Sequence, residues 1–290
     1  MNIGDIKKRI KEIPVLYKLL LPVVLMCRYI IFKTRKFTFQ ISKYSSRLKK
    51  VKSTAKRERC FVIGNGPSLT IDNLEKLYSN KEICFASNGI CGVFDKTEWK
   101  PDVYALIDGT AFKVVQNYLS DIEKHVKYVF LSVNDIKQNS IYMKIIDNSN
   151  IYPFFHNQFG GKADKKKISF SHDISKYIGD GYTVTCTLIQ IAMYMGYKEI
   201  YLLGVDHTLN YKPDSNGNVD LSTYHFKGAK NIEKPIKITQ YSQDVFKYST
   251  DGYELCKKES QKCGVKIYNA TRGGKLEVFE RVNFDDLFEK

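Results

Sequence analysis

The strongest constraint on the fold is a set of short runs that are apolar almost without interruption. They are CFVI at 60–63, ICFASN at 83–88, VYALID at 103–108, YVFLSV at 128–133, EIYLLGVD at 199–206 and VKIYNAT at 265–271, with a shorter IYPFF at 151–155. A strand with one wet face alternates polar and apolar residues, whereas these runs need cover on both faces. Segments of helical spacing separate them. Thr70–Ser79 carries Ile71, Leu74 and Leu77, with Ser68 or Thr70 as N-cap, and Thr110–Lys124, Thr183–Met195 and Tyr241–Cys263 follow. Strands alternating with helices predict an α/β fold: a mostly parallel sheet with helices on both faces, joined by right-handed crossovers. Two polar stretches, 156–180 and 207–239, are long for connections inside a compact domain, and such stretches usually serve as lids or binding loops.

Length and composition narrow the classes. The 290 residues allow one large domain or two small ones, and 43% hydrophobic residues exclude wholesale disorder. Seven cysteines with no C-x-x-C pair argue against a disulfide scaffold, a zinc ribbon or a thioredoxin-like site. Cys84/Cys91 and Cys256/Cys263, each spaced seven apart, are expected in the core.

The net charge of +15 is unevenly distributed. Residues 1–60 hold 17 Lys/Arg against Asp5, Glu12 and Glu58, or +14, and the other 230 residues come to +1. A nucleic-acid-binding body would spread positive charge over its own face, so no nucleic-acid partner is expected. A basic arm suits an anionic membrane surface. The run IPVLYKLLLPVVLMCRYIIF at 13–32 is long enough to span a bilayer, but Lys18 and Arg28 are costly within one, and Pro22 is expected to break the helix. At 100° per residue Lys7, Lys11 and Lys18 fall on one line with Arg28 beside it, the stripe of a helix lying in the interface. The rivals are a true span and a helix docked on its own domain or a partner. No small-residue cleavage site follows the run, which argues against a cleaved signal peptide. The division expected is a basic amphipathic membrane-associating arm at 1–58 and a catalytic domain at 59–290, with a lid region at 207–239.

Ligands of open α/β sheets bind beyond the carboxyl ends of the strands. Those ends are Gly64-Asn65-Gly66-Pro67-Ser68, Ser87-Asn88-Gly89, Asp108-Gly109-Thr110, Gly204-Val205-Asp206-His207 and Asn269-Ala270-Thr271. Each carries Asn, Asp, Ser or Thr, mostly beside glycine. The first turn lets backbone approach a ligand and leads into a helix start that suits phosphate. It lacks the Gly-Lys-Ser/Thr of a Walker loop, and Leu69 stands where a dinucleotide fingerprint needs its third glycine. Thr183 and Thr185 open the apolar helix, free either to cap it or to bind a ligand. Of the histidines, His207 beside Asp206 and His225 between aromatics are candidate bases near neutral pH. His125 is expected to be solvated on a helix, and His156 and His172 lie in or beside the first long loop. Asp108 and Asp206 are possible ligands of a divalent metal, a weak signal. The 165–167 lysine run is expected to be a solvated loop.

Together, FVIGNGPSL, Asn88, GYTVTCTLIQIAMYMGYKEIYLLGVDH and IYNATRGGKLEVF resemble the 6-hydroxymethylpterin diphosphokinase-like family found in bacterial surface-polysaccharide clusters. They are also similar to the Campylobacter-type sialyltransferases. The resemblance covers about residues 59–290, leaves the arm outside, and implies a Rossmann-like nucleotide-binding fold. In the sialyltransferases the GNGPSL turn and strand-end Asn hold a cytidine nucleotide and a lid His serves as base. Carried over, Gly64, Asn65, Gly66, Pro67, Ser68 and Asn88 would bind the donor, with Asp108, Thr183, Thr185 and Asp206 at matching positions. Asp108 stands for an Asn, Thr183-Val184-Thr185 for Thr-Ser-Gly, and His207 for a Phe. Tyr211 and Tyr224 match loosely the tyrosines that grip the donor phosphate.

The function expected is a membrane-associated glycosyltransferase. Its donor would be a nucleotide-activated, sialic-acid-like sugar and its acceptor a glycan or glycolipid of the cell surface. His225 would be the base and His207 the second choice, with no metal or cofactor required. Cytoplasmic residence on the inner membrane face follows, and a homo-oligomer is possible. The alternatives are a magnesium-dependent diphosphokinase using ATP, with Asp108 and Asp206 on the metal, and a non-catalytic module that binds nucleotide or glycan.

Overall fold

The computed structural model describes residues 14–107, 109–133, 140–158, 168–208, 214–219, 225–230, 236–237 and 240–289. Asp108, Tyr211, Tyr224 and the 165–167 lysine run lie outside them. So do Lys7, Lys11 and the side chain of Lys18.

Twelve strands occur among the described residues: β1 Arg59–Ile63, β2 Cys84–Ser87, β3 Val103–Leu106, β4 Tyr128–Ser132, β5 Ile151–Phe154, β6 His156–Asn157, β7 Ile178–Gly179, β8 Glu199–Leu203, β9 Asn218–Val219, β10 Ile236–Lys237, β11 Lys266–Asn269 and β12 Glu280–Arg281. Eight form one sheet in the order β12-β11-β8-β1-β2-β3-β4-β5, with every neighbouring pair parallel. The helices are α1 Pro14–Gln40, α2 Lys43–Lys49, α3 Ile71–Ser79, α4 Gly109–Val115, α5 Leu119–His125, α6 Ser140–Ile145, α7 Val184–Met195 and α8 Gln240–Lys262.

Successive strand residues point to opposite faces, so each face has its own core. Cys60, Val62, Ile200 and Leu202 pack with Leu188 and Ile189 of α7, Tyr253 and Cys256 of α8, and Phe39 and Leu48 of α1 and α2. Phe61, Ile63, Tyr201 and Leu203 pack with Leu74 and Leu77 of α3, Phe112 of α4 and Ile122 of α5. The fold is therefore the expected α/β sandwich of a parallel sheet between helices.

Several local expectations change. The helix expected over 110–124 is split by a 3₁₀ turn at Gln116–Tyr118. Thr70, not Ser68, caps α3, in a reciprocal pair of hydrogen bonds with Asn73. Residues 168–180 are pinned: the buried Gln190 amide accepts from the Ser171 and Gly179 N–H groups and donates to the Gly179 carbonyl. Cys84, Cys91 and Cys256 are buried as expected, but Cys263 is exposed, because α8 stops at Lys262.

α1 runs unbroken through Pro22. Its C-terminal half lies on the body: Phe32 and Phe39 sit 5.3 and 6.0 Å from the Phe155 ring. Lys36 stands 3.3 Å over the Tyr177 ring and donates to Asn157 Oδ1 at 3.0 Å. Burial, helped by Lys33, pulls the Lys36 ammonium down to about 8. Among the described residues no helix is long and apolar enough to cross a membrane.

Candidate functional site

From β1 the chain builds β2, β3, β4 and β5 on one side, then returns to place β8 on the other. The point of reversal between β1 and β8 is where open α/β sheets hold their ligands. Gly64–Ser68 and Gly204–His207 meet there. Gly64 N–H donates to Leu203 O and Gly66 N–H to Gly204 O, each at 2.8 Å. Ser68 donates its hydroxyl to Asp206 Oδ2 at 2.7 Å and its N–H to the same oxygen at 3.4 Å. Burial pushes the Asp206 carboxyl above its ordinary range, and the Ser68 hydrogen bonds partly oppose this. The first turn thus already holds a carboxyl group of its own, and these amides are committed inside the protein. Pro67 is exposed on the rim.

The approach is too close for side chains. A Cβ on Gly64 would fall 2.3 Å from the Gly204 carbonyl oxygen, and one on Gly66 would fall 1.8 Å from Asp206 Oδ2. Gly64→Ala must push β1 and β8 apart, because the obstacle is backbone. It is expected to cost about 1–3 kcal/mol, as overpacking does, seen as a lower urea midpoint. Pro67→Ala is expected to change little, and equal midpoints for the two variants would refute the close-packing account.

Three non-glycine residues at these ends adopt left-handed backbone: Asn88 at φ 53°, Tyr182 at φ 62° and His207 at φ 47°. Such conformations are held only where surrounding structure imposes them, and they gather at functional sites. Asn65 donates from Nδ2 to the Ser87 carbonyl at 3.0 Å. Its Oδ1, like that of Asn88, is buried with no hydrogen-bond partner among the described residues. Each is an acceptor for a ligand hydroxyl or amine.

The second wall comes from α7 and α8. Thr183 caps α7, accepting from the Thr185 N–H at 3.3 Å. The buried Tyr253 hydroxyl lies close to both threonines. Its ring meets His207 edge-on at 5.3 Å, and His207 Nε2 shares a 2.8 Å hydrogen bond with Thr250 Oγ1. Burial pulls the His207 imidazole down to about 4, so it is neutral at pH 7. Tyr182 lies against Tyr248, ring centroids 5.0 Å apart. Tyr182, Tyr248, Thr250 and Tyr253 were not expected from the sequence. The available signal was Gly252 inside a helix: a Cβ there would fall 2.2 Å from the Gly181 carbonyl oxygen, which marks the close contact of α8 with the turn leading into α7.

The described residues 225–230 lie against the ends of the first two strands. Phe226 N–H donates to Asn65 O and Lys230 N–H to Gly89 O, both at 2.7 Å. Phe226 is buried, and His225 precedes it, half-buried. The expected residues Gly64, Asn65, Gly66, Ser68, Asn88, Thr183, Thr185, Asp206, His207 and His225 therefore belong to one region. His125 sits on α5 against the Asp121 carbonyl, and buried His156 lies 3.7 Å from Asp180. Neither belongs to the cleft.

The structure is similar to the MAf glycosyltransferase from Magnetospirillum magneticum AMB-1, at 17% identity and a TM-score of 0.49, over 85% of this chain and 39% of that one. It is also similar to UDP-glucose 4-epimerase from Thermotoga maritima with UDP-glucose, at 10% identity and a TM-score of 0.27, over 73% of this chain and 54% of that one. The chain thus spans less than two thirds of either relative. No curated protein matches it in sequence. The model of one family matches residues 35–212, more than half of the 290. The match begins inside the arm, which the sequence reading had left outside, and ends before the tail. The chain belongs to the 6-hydroxymethylpterin diphosphokinase MptE-like family.

Proposed function

We propose that the protein is a glycosyltransferase that takes a nucleotide-activated sugar, sialic-acid-like in its leading form, and extends a cell-surface polysaccharide or lipid-linked oligosaccharide. It would work from the cytoplasmic face of the membrane, held there by its N-terminal helix. The observation that carries the reading is the left-handed trio Asn88, Tyr182 and His207 around the β1/β8 reversal, beside two buried amide oxygens suited to sugar or nucleoside hydroxyls.

Because Asp206 already occupies the Ser68 donors, the donor phosphate is assigned to the start of α7 rather than to the first turn. A helix N-terminus stabilises the departing nucleotide anion without a metal. His225 takes the proton of the acceptor hydroxyl. His207 is the poorer base: its imidazole is held to about 4 and its Nε2 is engaged by Thr250. It is assigned to positioning Tyr253 and the threonines.

The family description supports a second reading, a magnesium-dependent diphosphokinase using ATP. Asp206 would then be one metal ligand, in competition with Ser68 for its oxygen.

A thermal-shift screen of the full chain against CMP, CDP, UDP, GDP and ATP, each with and without magnesium, separates the two. A ligand at 100 times its Kd adds about 2.7 kcal/mol of stability. The expected result is a magnesium-independent shift with CMP. A shift with UDP or GDP instead keeps the transferase and changes the sugar. A shift confined to ATP with magnesium selects the kinase, and no shift with any nucleotide rejects both in favour of a non-catalytic module.

A further inference from the structure

Three side chains outside the cleft meet in a line. Cys263 Sγ lies 3.5 Å from His172 Nδ1, and His172 Nε2 lies 2.8 Å from Glu259 Oε2. The Phe170 ring packs 5.1 Å from the imidazole. Lys262 donates to Glu259 Oε1 at 2.6 Å, and Lys262 with His172 holds the Glu259 carboxyl below its ordinary range. An ionised Glu259 accepts the Nε2 proton of His172, which turns the lone pair of Nδ1 toward the thiol. A nucleophile, a base within reach of it and an acid that orients the base are the parts that activate a thiol. Cys263 is exposed, whereas Cys60, Cys84, Cys91, Cys186 and Cys256 are buried. It stands just before β11, at the amino edge of the parallel sheet, away from the cleft at the carboxyl edge.

We propose that Cys263 is a surface nucleophile that exchanges with small disulfides and is a modification site of this protein. His172 Nδ1 takes the thiol proton, and the sulfur attacks one sulfur of the disulfide. The S–S bond breaks, and the departing thiolate recovers the proton from His172. Cys263 ends as a mixed disulfide, and the other half of the reagent is reduced to a thiol.

The test incubates the full chain with oxidised glutathione and follows the mixed disulfide at each cysteine by peptide mass spectrometry. Exposed Cys27, on α1, is the internal reference. Cys263 is expected to react about tenfold faster than Cys27. His172→Gln should bring Cys263 down to the rate of Cys27 without altering Cys27 itself, and Glu259→Gln should fall between. Continued protection of the five buried cysteines reports that a variant remains folded. Equal rates for Cys263 and Cys27 in the unaltered protein, or a Cys263 rate untouched by His172→Gln, would overturn the proposal.

Discussion

Replacing His225 with alanine is expected to lower turnover by about 10²–10⁴-fold while leaving nucleotide binding nearly intact. The segment that carries it is fastened to the sheet at both ends, through Phe226 on Asn65 and Lys230 on Gly89. The backbone next to His225 is therefore fixed against the first turn, and the proposed role needs its imidazole to face the acceptor from there. A residue that acts only on the acceptor proton contributes to the transition state and little to donor affinity, so kcat falls and the nucleotide thermal shift survives. His207→Ala should behave in the opposite way. Its ring braces Tyr253 and Thr250, so that variant loses nucleotide affinity and stability before it loses chemistry. Parallel measurements of donor hydrolysis, acceptor transfer and nucleotide shift distinguish the two. Normal turnover in His225→Ala would remove it from the role of base, and a collapse confined to His207→Ala would exchange the assignments.

What was legible in the sequence follows from how far each signal reaches along the chain. The strands inside the large sheet are buried on both faces, so each needs a local apolar run, and local runs can be read; the edge strand β12, Glu280–Arg281, is exposed and carries no such run. The strand-end residues were readable for the same reason, since a reversal at β1/β8 brings together two segments that each carry their own Gly-rich end. The two-residue strands β6 and β7 are too short to show a period. The wall made by Tyr248, Thr250 and Tyr253 is a tertiary contact between α8 and α7, and only Gly252 hinted at it. The helix expected over 110–124 splits after Val115, and α1 continues through an exposed Pro22, so at both places the local preference read from the sequence did not decide the outcome. Cys263, expected in the core, is exposed because it lies one residue past the end of α8.

Converting Met26 and Ile30 to aspartate together is expected to release the protein from anionic vesicles. α1 is apolar on two sides rather than one. The side bearing Phe32, Lys36 and Phe39 packs on the body. At 100° per residue, Val23, Met26, Ile30 and Phe37, with Ile41 just past the helix end, fall within about 60° of one another on the opposite side. They are 58%, 65%, 51%, 63% and 71% exposed, far more apolar surface than a single scattered side chain presents. Lys33 is exposed beside this line, whereas Arg28 and Arg35 are exposed on the far side of the helix, and a basic group near anionic lipid adds about 1 kcal/mol. The proposed occupant of the apolar line is a bilayer interface. Burying Met and Ile contributes about 1.5–3 kcal/mol each, so losing both lowers the partition coefficient by about 10²–10⁴-fold. Neither side chain supports the body, so the melting temperature should hold. Thr38→Asp, an exposed polar position on the same helix at least about 60° from every residue of that line, controls for added negative charge and should cost far less. Flotation with phosphatidylserine vesicles reads the effect, and added salt should weaken binding of the unaltered chain. If the double variant floats as well as the parent, the membrane assignment fails. If it instead turns a dimer into a monomer by light scattering, the apolar line belongs to a second copy of the chain.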